Sequence, residues 1–373
     1  MKNKSLWKGL IVMLAAAFVM LVMPVQKAFA AGTTEGPKLK WGSSYSGSTE
    51  TSKCYKYAFS LKQSGNVTFV FQVSDAGYAF TSMGKITVLD ETGKEVYKIY
   101  NVGDCSLSLD LLAGNYTLRI GMEGGMDGCN FTFTPSFKPS KETKSEHAMA
   151  KNNEMGTATS YKIGKSVKGQ LALNDDIDIY KMRVTKSQYL NLTVSSKLRE
   201  LNINLVNTSG SRNVSISDIE AGLHKYRVFL PKGTYYVKFR GGVNYATDYH
   251  YTGKYSFRTS VTAIPKPTIT KTKPDNKYKT MYIRCKKNSL ANGYQFQIAR
   301  DKKFKKGKKT KQDEYTGMYM VDLKKGTYYV RVRSYVKIDN YGSTPDEYYY
   351  SSWSKVKTCL LYTSDAADDL IGV

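Results

Sequence analysis

Histidine is nearly missing from this 373-residue chain, with three copies, and acidic residues are scarce, 31 Asp and Glu against 56 Lys and Arg. Each shortage closes off chemistry. His147, His224 and His250 form no HExxH motif, which removes the usual zinc-protease centre. No Gly-x-Ser-x-Gly elbow and no glycine-rich phosphate loop occurs. The carboxylates fall mostly in turns, so no glycosidase-type acid and base pair stands out. Cys-x-x-Cys spacing is absent, which argues against a structural zinc site. Cys54, Cys105 and Cys129 are an odd set in one region, so at most one bridge can form among them, and spacing does not choose the pair. Nothing assembles a reaction centre, and the chain is read as non-enzymatic.

What is present is a short pattern used three times. It reads Leu112-Ala-Gly114-Asn-Tyr116-Thr-Leu118-Arg-Ile120, then Pro231-Lys-Gly233-Thr-Tyr235-Tyr-Val237-Lys-Phe239, then Lys325-Gly326-Thr-Tyr328-Tyr-Val330-Arg-Val332. Each copy is a glycine turn followed by strict alternation, as in an antiparallel strand with one face buried and one in water. Tyr116, Leu118 and Ile120 point inward, as do Tyr235, Val237 and Phe239, and Tyr328, Val330 and Val332. Burial of such side chains is worth roughly 1.5–3 kcal/mol each. The spacing of the glycines is close to one sandwich domain per copy. With 30 tyrosines the chain is expected to be all-β.

The two ends read differently. Residues 1–30 carry Lys2, Lys4 and Lys8, an apolar stretch from Leu10 to Val25, and Ala28-Phe-Ala30, the layout of a cleaved secretory signal peptide. No membrane span is expected after cleavage. Residues 359–373 lose the lysines abruptly and match a translated sequencing adapter. They are excluded from the fold, and the natural chain is expected to continue beyond Thr358.

Between the ends, residues 40–137 alternate at Tyr55, Tyr57, Phe59 and Leu61 and at Val67, Phe69, Phe71 and Val73. The turn Asp90-Glu-Thr-Gly93 signals a hairpin. Residues 138–155 are read as a polar linker. Residues 156–261 repeat the first unit: Tyr180 matches Tyr57, Asn207–Gly210 matches Asp90–Gly93, and Tyr255-Ser-Phe257 matches Phe131-Thr-Phe133. Small drifts in the offsets are what loop insertions in a duplicated domain produce. Ala263-Ile-Pro265-Lys-Pro267 is a stiff connector before residues 264–358.

Val167-Lys-Gly-Gln-Leu171, Asp175-Asp176-Ile-Asp178-Ile-Tyr180, Gly233-Thr-Tyr235-Tyr-Val237 and Tyr251-Thr-Gly-Lys-Tyr255-Ser-Phe257 resemble the bacterial pre-peptidase C-terminal domain. The first unit keeps the strands but lacks the acidic run. Tyr294-Gln-Phe296-Gln-Ile298, Lys302-Lys-Phe304, Gly326-Thr-Tyr328-Tyr-Val330-Arg-Val332 and Trp353-Ser-Lys355 resemble a lysine-rich fibronectin type III domain of secreted Gram-positive, Clostridia-like proteins. These resemblances imply three β-sandwiches in tandem, two jelly-roll-like and one fibronectin- or immunoglobulin-like. They also imply a corner role for Tyr328, whose hydroxyl ties a loop to its strand.

Three groups of residues are singled out. Asp175, Asp176 and Asp178, with Asn153 and Glu154 from the linker, offer hard oxygens of the kind calcium takes. Relatives of the pre-peptidase class hold calcium near this place, so calcium is the cofactor expected, if any. Lys302, Lys303, Lys305, Lys306, Lys308, Lys309 and Lys311 form the densest charge run, suited to polyanions. Residues 264–358 hold 23 Lys or Arg against 8 Asp or Glu, a net +15. Nucleic-acid specificity is not expected, because only Phe304 interleaves with the lysines. Tyr349 and Trp353, in an end that also carries Tyr341, Tyr348 and Tyr350, offer rings for sugar stacking.

The expectation is a secreted or cell-surface, monomeric, non-catalytic binding, adhesion or spacer protein. Its partners would be an anionic cell-wall polymer or glycan, or extracellular matrix or a host surface. The alternative is the ancillary, non-catalytic region of a secreted peptidase or glycosidase whose catalytic domain lay beyond Thr358 and is missing from this chain.

Overall fold

The structure is a computed structural model. It describes residues 35–49, 54–75, 83–100, 102–121, 129–148, 151–244, 249–340 and 345–362. The signal-peptide reading, Tyr341 and residues 363–373 lie outside these. The described residues contain strands and no helix, so none of them forms a helix able to cross a membrane.

The first sandwich uses eight strands: β1 Tyr45–Thr49, β2 Tyr55–Leu61, β3 Gly65–Asp75, β4 Lys85–Asp90, β5 Glu95–Tyr100, β6 Cys105–Leu111, β7 Gly114–Ile120 and β8 Cys129–Pro139. They form two sheets, β1-β8-β3-β6 and β2-β7-β4-β5. Alternation in β7 buries Tyr116, Leu118 and Ile120, set opposite Phe59, Tyr57 and Tyr55 of β2. The core is aromatic. Phe71 and Phe133 rings lie 5.3 Å apart, and Phe59 stacks on Tyr116 at 5.3 Å. Offset and edge contacts of this kind add about 0.5–1.5 kcal/mol per pair beyond area burial.

The second sandwich contains β9 Thr159–Ser160, β10 Ser166–Leu171, β11 Ile177–Val184, β12 Gln188–Ser196, β13 Leu201–Asn207, β14 Asn213–Ile219, β15 Gly222–Leu230, β16 Gly233–Gly241, β17 Val243–Asn244, β18 Tyr249–His250 and β19 Gly253–Thr262. Its sheets run β10-β19-β12-β15 and β14-β13-β16-β11-β9. With β9 and the separate β17-β18 ribbon set aside, this is the order of the first sandwich strand for strand. The matched turns are alike too. Gly93 N–H reaches Asp90 O at 2.9 Å and Gly210 N–H reaches Asn207 O at 3.0 Å.

The third sandwich has β20 Ile269–Asp275, β21 Thr280–Cys285, β22 Gly293–Ala299, β23 Lys309–Asp313, β24 Gly317–Met320, β25 Gly326–Ile338, β26 Glu347–Tyr350 and β27 Lys357–Leu361. Its sheets are β20-β21-β24 and β23-β22-β25-β26, with β27 also pairing β25. Tyr328 Oη donates to Lys324 O at 2.9 Å, as its corner role requires. Gly326 adopts φ 122°, where a side chain would be strained and would meet the Arg300 guanidinium 2.7 Å away.

Residues from Cys359 on were set outside the fold as adapter sequence; in the structure Cys359 and Leu361 are buried in the third core. They recur with period two and so fill the edge of β25 from Gly326 to Val330. All five cysteines are unbridged thiols, so the one bridge left open among Cys54, Cys105 and Cys129 does not form. The three sandwiches are grouped in two compact units. The first unit holds the first sandwich and most of the second. The other holds the third together with residues 184–191 and 227–233. Within that second unit, Tyr189 Oη donates to Leu290 O at 2.6 Å.

Candidate metal centre

The stretch read as a polar linker is a strap. Ser140 N–H donates to Ser64 O at 2.9 Å and Ala113 N–H to Glu146 O at 3.1 Å, binding it to the first sandwich. Thr143 N–H donates to Lys168 O at 2.9 Å and Ile179 N–H to Asn152 O at 3.1 Å, binding it to the second. Polar side chains dominate the strap because it lies between two sheets' backbone edges and satisfies their hydrogen bonds. Direct bonds join the sandwiches as well. Asn174 Nδ2 donates to Tyr116 Oη at 3.0 Å, Thr252 Oγ1 to Asp110 Oδ2 at 2.9 Å, and Gln170 Nε2 to Gly65 O at 3.1 Å.

This strap carries Glu146 to the turn before β11, where Asp175 and Asp178 sit. One carboxylate oxygen from each of the three lies within 4.8 Å of the others. Asp175 is 1% exposed and Asp178 3%. Glu142 is half-buried beside them, and burial pushes its carboxyl up to about 7. Burial, compounded by the neighbouring Asp178, also raises Glu146 and Asp175. Asp178 is raised by burial, against the pull of a hydrogen bond from Tyr255 Oη. Among the described residues, no Lys, Arg or His forms an ion pair with any of these four carboxylates.

The oxygens left over are the informative part. Glu142 Oε2, Glu146 Oε2, Asn152 Oδ1, Asn153 Oδ1, Gln170 Oε1 and both carboxylate oxygens of Asp175 are buried without a hydrogen-bond partner. An unsatisfied buried polar atom costs about 1–3 kcal/mol, more when charged. All seven are hard oxygens, carboxylate or carboxamide. That donor set fits a calcium ion and offers neither nitrogen nor sulfur to a softer metal. Asn153 lines hollows on both sides: one of about 690 Å³ with Glu146 and Asn152, one of about 190 Å³ with Asp175.

Of the five calcium candidates read from sequence, Asp175 and Asp178 enter the cluster and Asn153 lies next to it. Asp176 does not. It is half-exposed and turned to Arg240 at 2.9 Å and His250 at 3.3 Å. Glu154 is exposed on the strap. Glu142, Glu146 and Asn152 were missed. The only sequence signal was an acidic, amide-rich stretch with no alternation, which also describes an ordinary linker.

The other sequence candidates fall on the third sandwich. Lys302, Lys303, Lys305, Lys306 and Lys308 are exposed in the loop before β23. Lys309 and Lys311 open β23, and their ammonium groups donate to the carbonyls of Val321, Asp322 and Tyr319. The two stacking candidates are already engaged. Tyr349 packs on Phe229 at 5.2 Å, and Trp353 has the Arg331 and Arg333 guanidiniums over its ring at 4.3 and 4.5 Å.

No protein-family model matches the chain, and no curated protein matches it. Solved structures similar to parts of it include the pre-peptidase C-terminal domain of a Bacillus anthracis collagenase, with 17% identity over 28% of this chain and 94% of that one and a TM-score of 0.24. A two-domain fibronectin type III segment of chicken tenascin has 12% identity over 47% of this chain and 97% of that one, with a TM-score of 0.23. The chicken CNTN1 FN1–FN3 domains have 11% identity over 82% of this chain and 97% of that one, with a TM-score of 0.21.

Proposed function

We propose that this chain is a non-catalytic binding or spacer region of a secreted or cell-surface protein, in which a calcium ion fastens the first two sandwiches into one body. The observation that carries this reading is the set of unpartnered oxygens around Glu146, Asp175 and Asp178. Like charges buried without a counter-ion are strongly unfavourable, and a divalent cation offsets the repulsion and the lost hydration together. Glu146, Asp175 and Asp178 would hold the ion, with the Asn152 and Asn153 carbonyls as neutral donors. Tyr255 orients Asp178 from beneath by its hydroxyl.

Calorimetric titration of the whole chain with calcium at neutral pH tests the reading. Saturable binding of one ion, lost in Asp175→Asn and Asp178→Asn, is the expected result. No heat at millimolar calcium removes the proposal.

A further inference from the structure

The outward face of the β22–β25 sheet carries a row of alternating rings and guanidiniums. Arg331 lies over Phe304 at 3.9 Å and over Trp353 at 4.3 Å, and Arg333 lies over Trp353 at 4.5 Å and over Tyr350 at 3.7 Å. Sequence explains the alignment. Arg331 and Arg333 are two apart on β25, facing Gln297 and Gln295 on β22. Trp353 is delivered by a break in the last edge. Ser351 and Ser354 both pair with β25, their N–H groups meeting Ser334 O at 2.9 Å and Val332 O at 2.7 Å. Two residues then stand between them where a regular strand has one, and Trp353 swings onto the outer face.

The amides fix the guanidiniums further. Gln297 Oε1 accepts from Arg331 Nε and Nη2 at 2.8 and 2.5 Å, and Gln295 Oε1 accepts from Arg333 Nε at 2.8 Å. Arg331 Nη1 and both terminal nitrogens of Arg333 have no partner, and no carboxylate pairs with either arginine among the described residues. The adjoining loop is ordered as well. The exposed Asp301 carboxylate accepts the N–H groups of Lys303, Lys305 and Lys306 at 3.1, 2.9 and 2.6 Å. Phe304 is held at φ 55° and buried beneath Arg331, so its flanking lysines project outward.

We infer that this face and loop bind a linear polymer of phosphate groups that carries no bases or stacking sugar rings. Guanidinium edges offer paired donors that match a phosphate, and the loop lysines add point charges along its path. Bases and sugar rings gain affinity by stacking on open aromatic faces. Here those faces are already taken by guanidiniums, so the phosphates alone are recognised.

Long-chain inorganic polyphosphate is the probe, titrated into the whole chain across a salt series, with heparin and oligo(dT) as rivals. Polyphosphate is expected to bind more tightly than either rival at equal charge. Lys303→Gln/Lys305→Gln/Lys306→Gln changes only exposed side chains. It should weaken polyphosphate binding at least tenfold and lower the salt slope by about 2. Arg331→Lys/Arg333→Lys keeps both charges and should weaken binding about tenfold at an unchanged slope. Polyphosphate affinity within twofold of wild type in the lysine variant overturns the inference, as does tighter binding of heparin or oligo(dT).

Discussion

Two clusters of like charge sit on this chain and are managed in opposite ways. Around Asp175 the carboxylates are desolvated and, among the described residues, lack counter-ions. Around Trp353 the guanidiniums are half-exposed, laid over rings and tied to amides. The difference follows from intrinsic acidity. A carboxyl titrates near 4, so burial can drive it to the neutral form at ordinary pH. A guanidinium cannot be neutralised there, and the fold must keep its edge wet and give its flat faces aromatic cover. On the proposals above, the carboxylate cluster takes a cation and the guanidinium row an anion.

Varying pH breaks this comparison most sharply. The four acids bind protons more tightly folded than unfolded. The stability they contribute is whole below about pH 4 and is lost as pH rises through their raised folded values, near 7 for Glu142. Without calcium, the unit built on the first two sandwiches should lose about 3 kcal/mol or more between pH 5 and pH 8, followed by thermal unfolding. Saturating calcium should cancel that loss. The third sandwich should show no such slope, because its arginines do not titrate.

Removing the shared ring gives the next effect. Trp353→Ala removes the ring the two guanidiniums share, leaving Arg331 on Phe304 and Arg333 on Tyr350 alone, and should cost about 2–4 kcal/mol, seen in chemical denaturation as a shift of the transition that includes the third sandwich. Asp175→Asn tests the opposite sign. It relieves repulsion, so the calcium-free protein should gain about 1 kcal/mol while the calcium-induced rise in melting temperature disappears. The smallest contrast lies in two corner tyrosines. Tyr116 Oη donates to Leu112 O and accepts from Asn174, whereas Tyr328 Oη has, among the described residues, the Lys324 carbonyl alone. Tyr116→Phe should cost about 2 kcal/mol and Tyr328→Phe about 1, by equilibrium denaturation.

The alternating strands were legible in the sequence because period two is a local signal. Tyr116, Tyr235 and Tyr328 each head a strand whose inward residues are the buried ones. The duplication was legible for the same reason, down to the matched turns at Asp90 and Asn207. Glu146 was not, because its role comes from the strap folding back onto β11, and no periodicity marks such a contact. Trp353 read as an open sugar platform because its neighbours in space, Arg331 and Arg333, are 20 or more residues away in the chain.

Crystals grown with calcium near pH 7.5 and measured for anomalous scattering give the most direct test of the buried cation. One strong peak about 2.3–2.6 Å from oxygens of Glu146, Asp175 and Asp178 is predicted. Well-ordered carboxylates with no peak among them would contradict it.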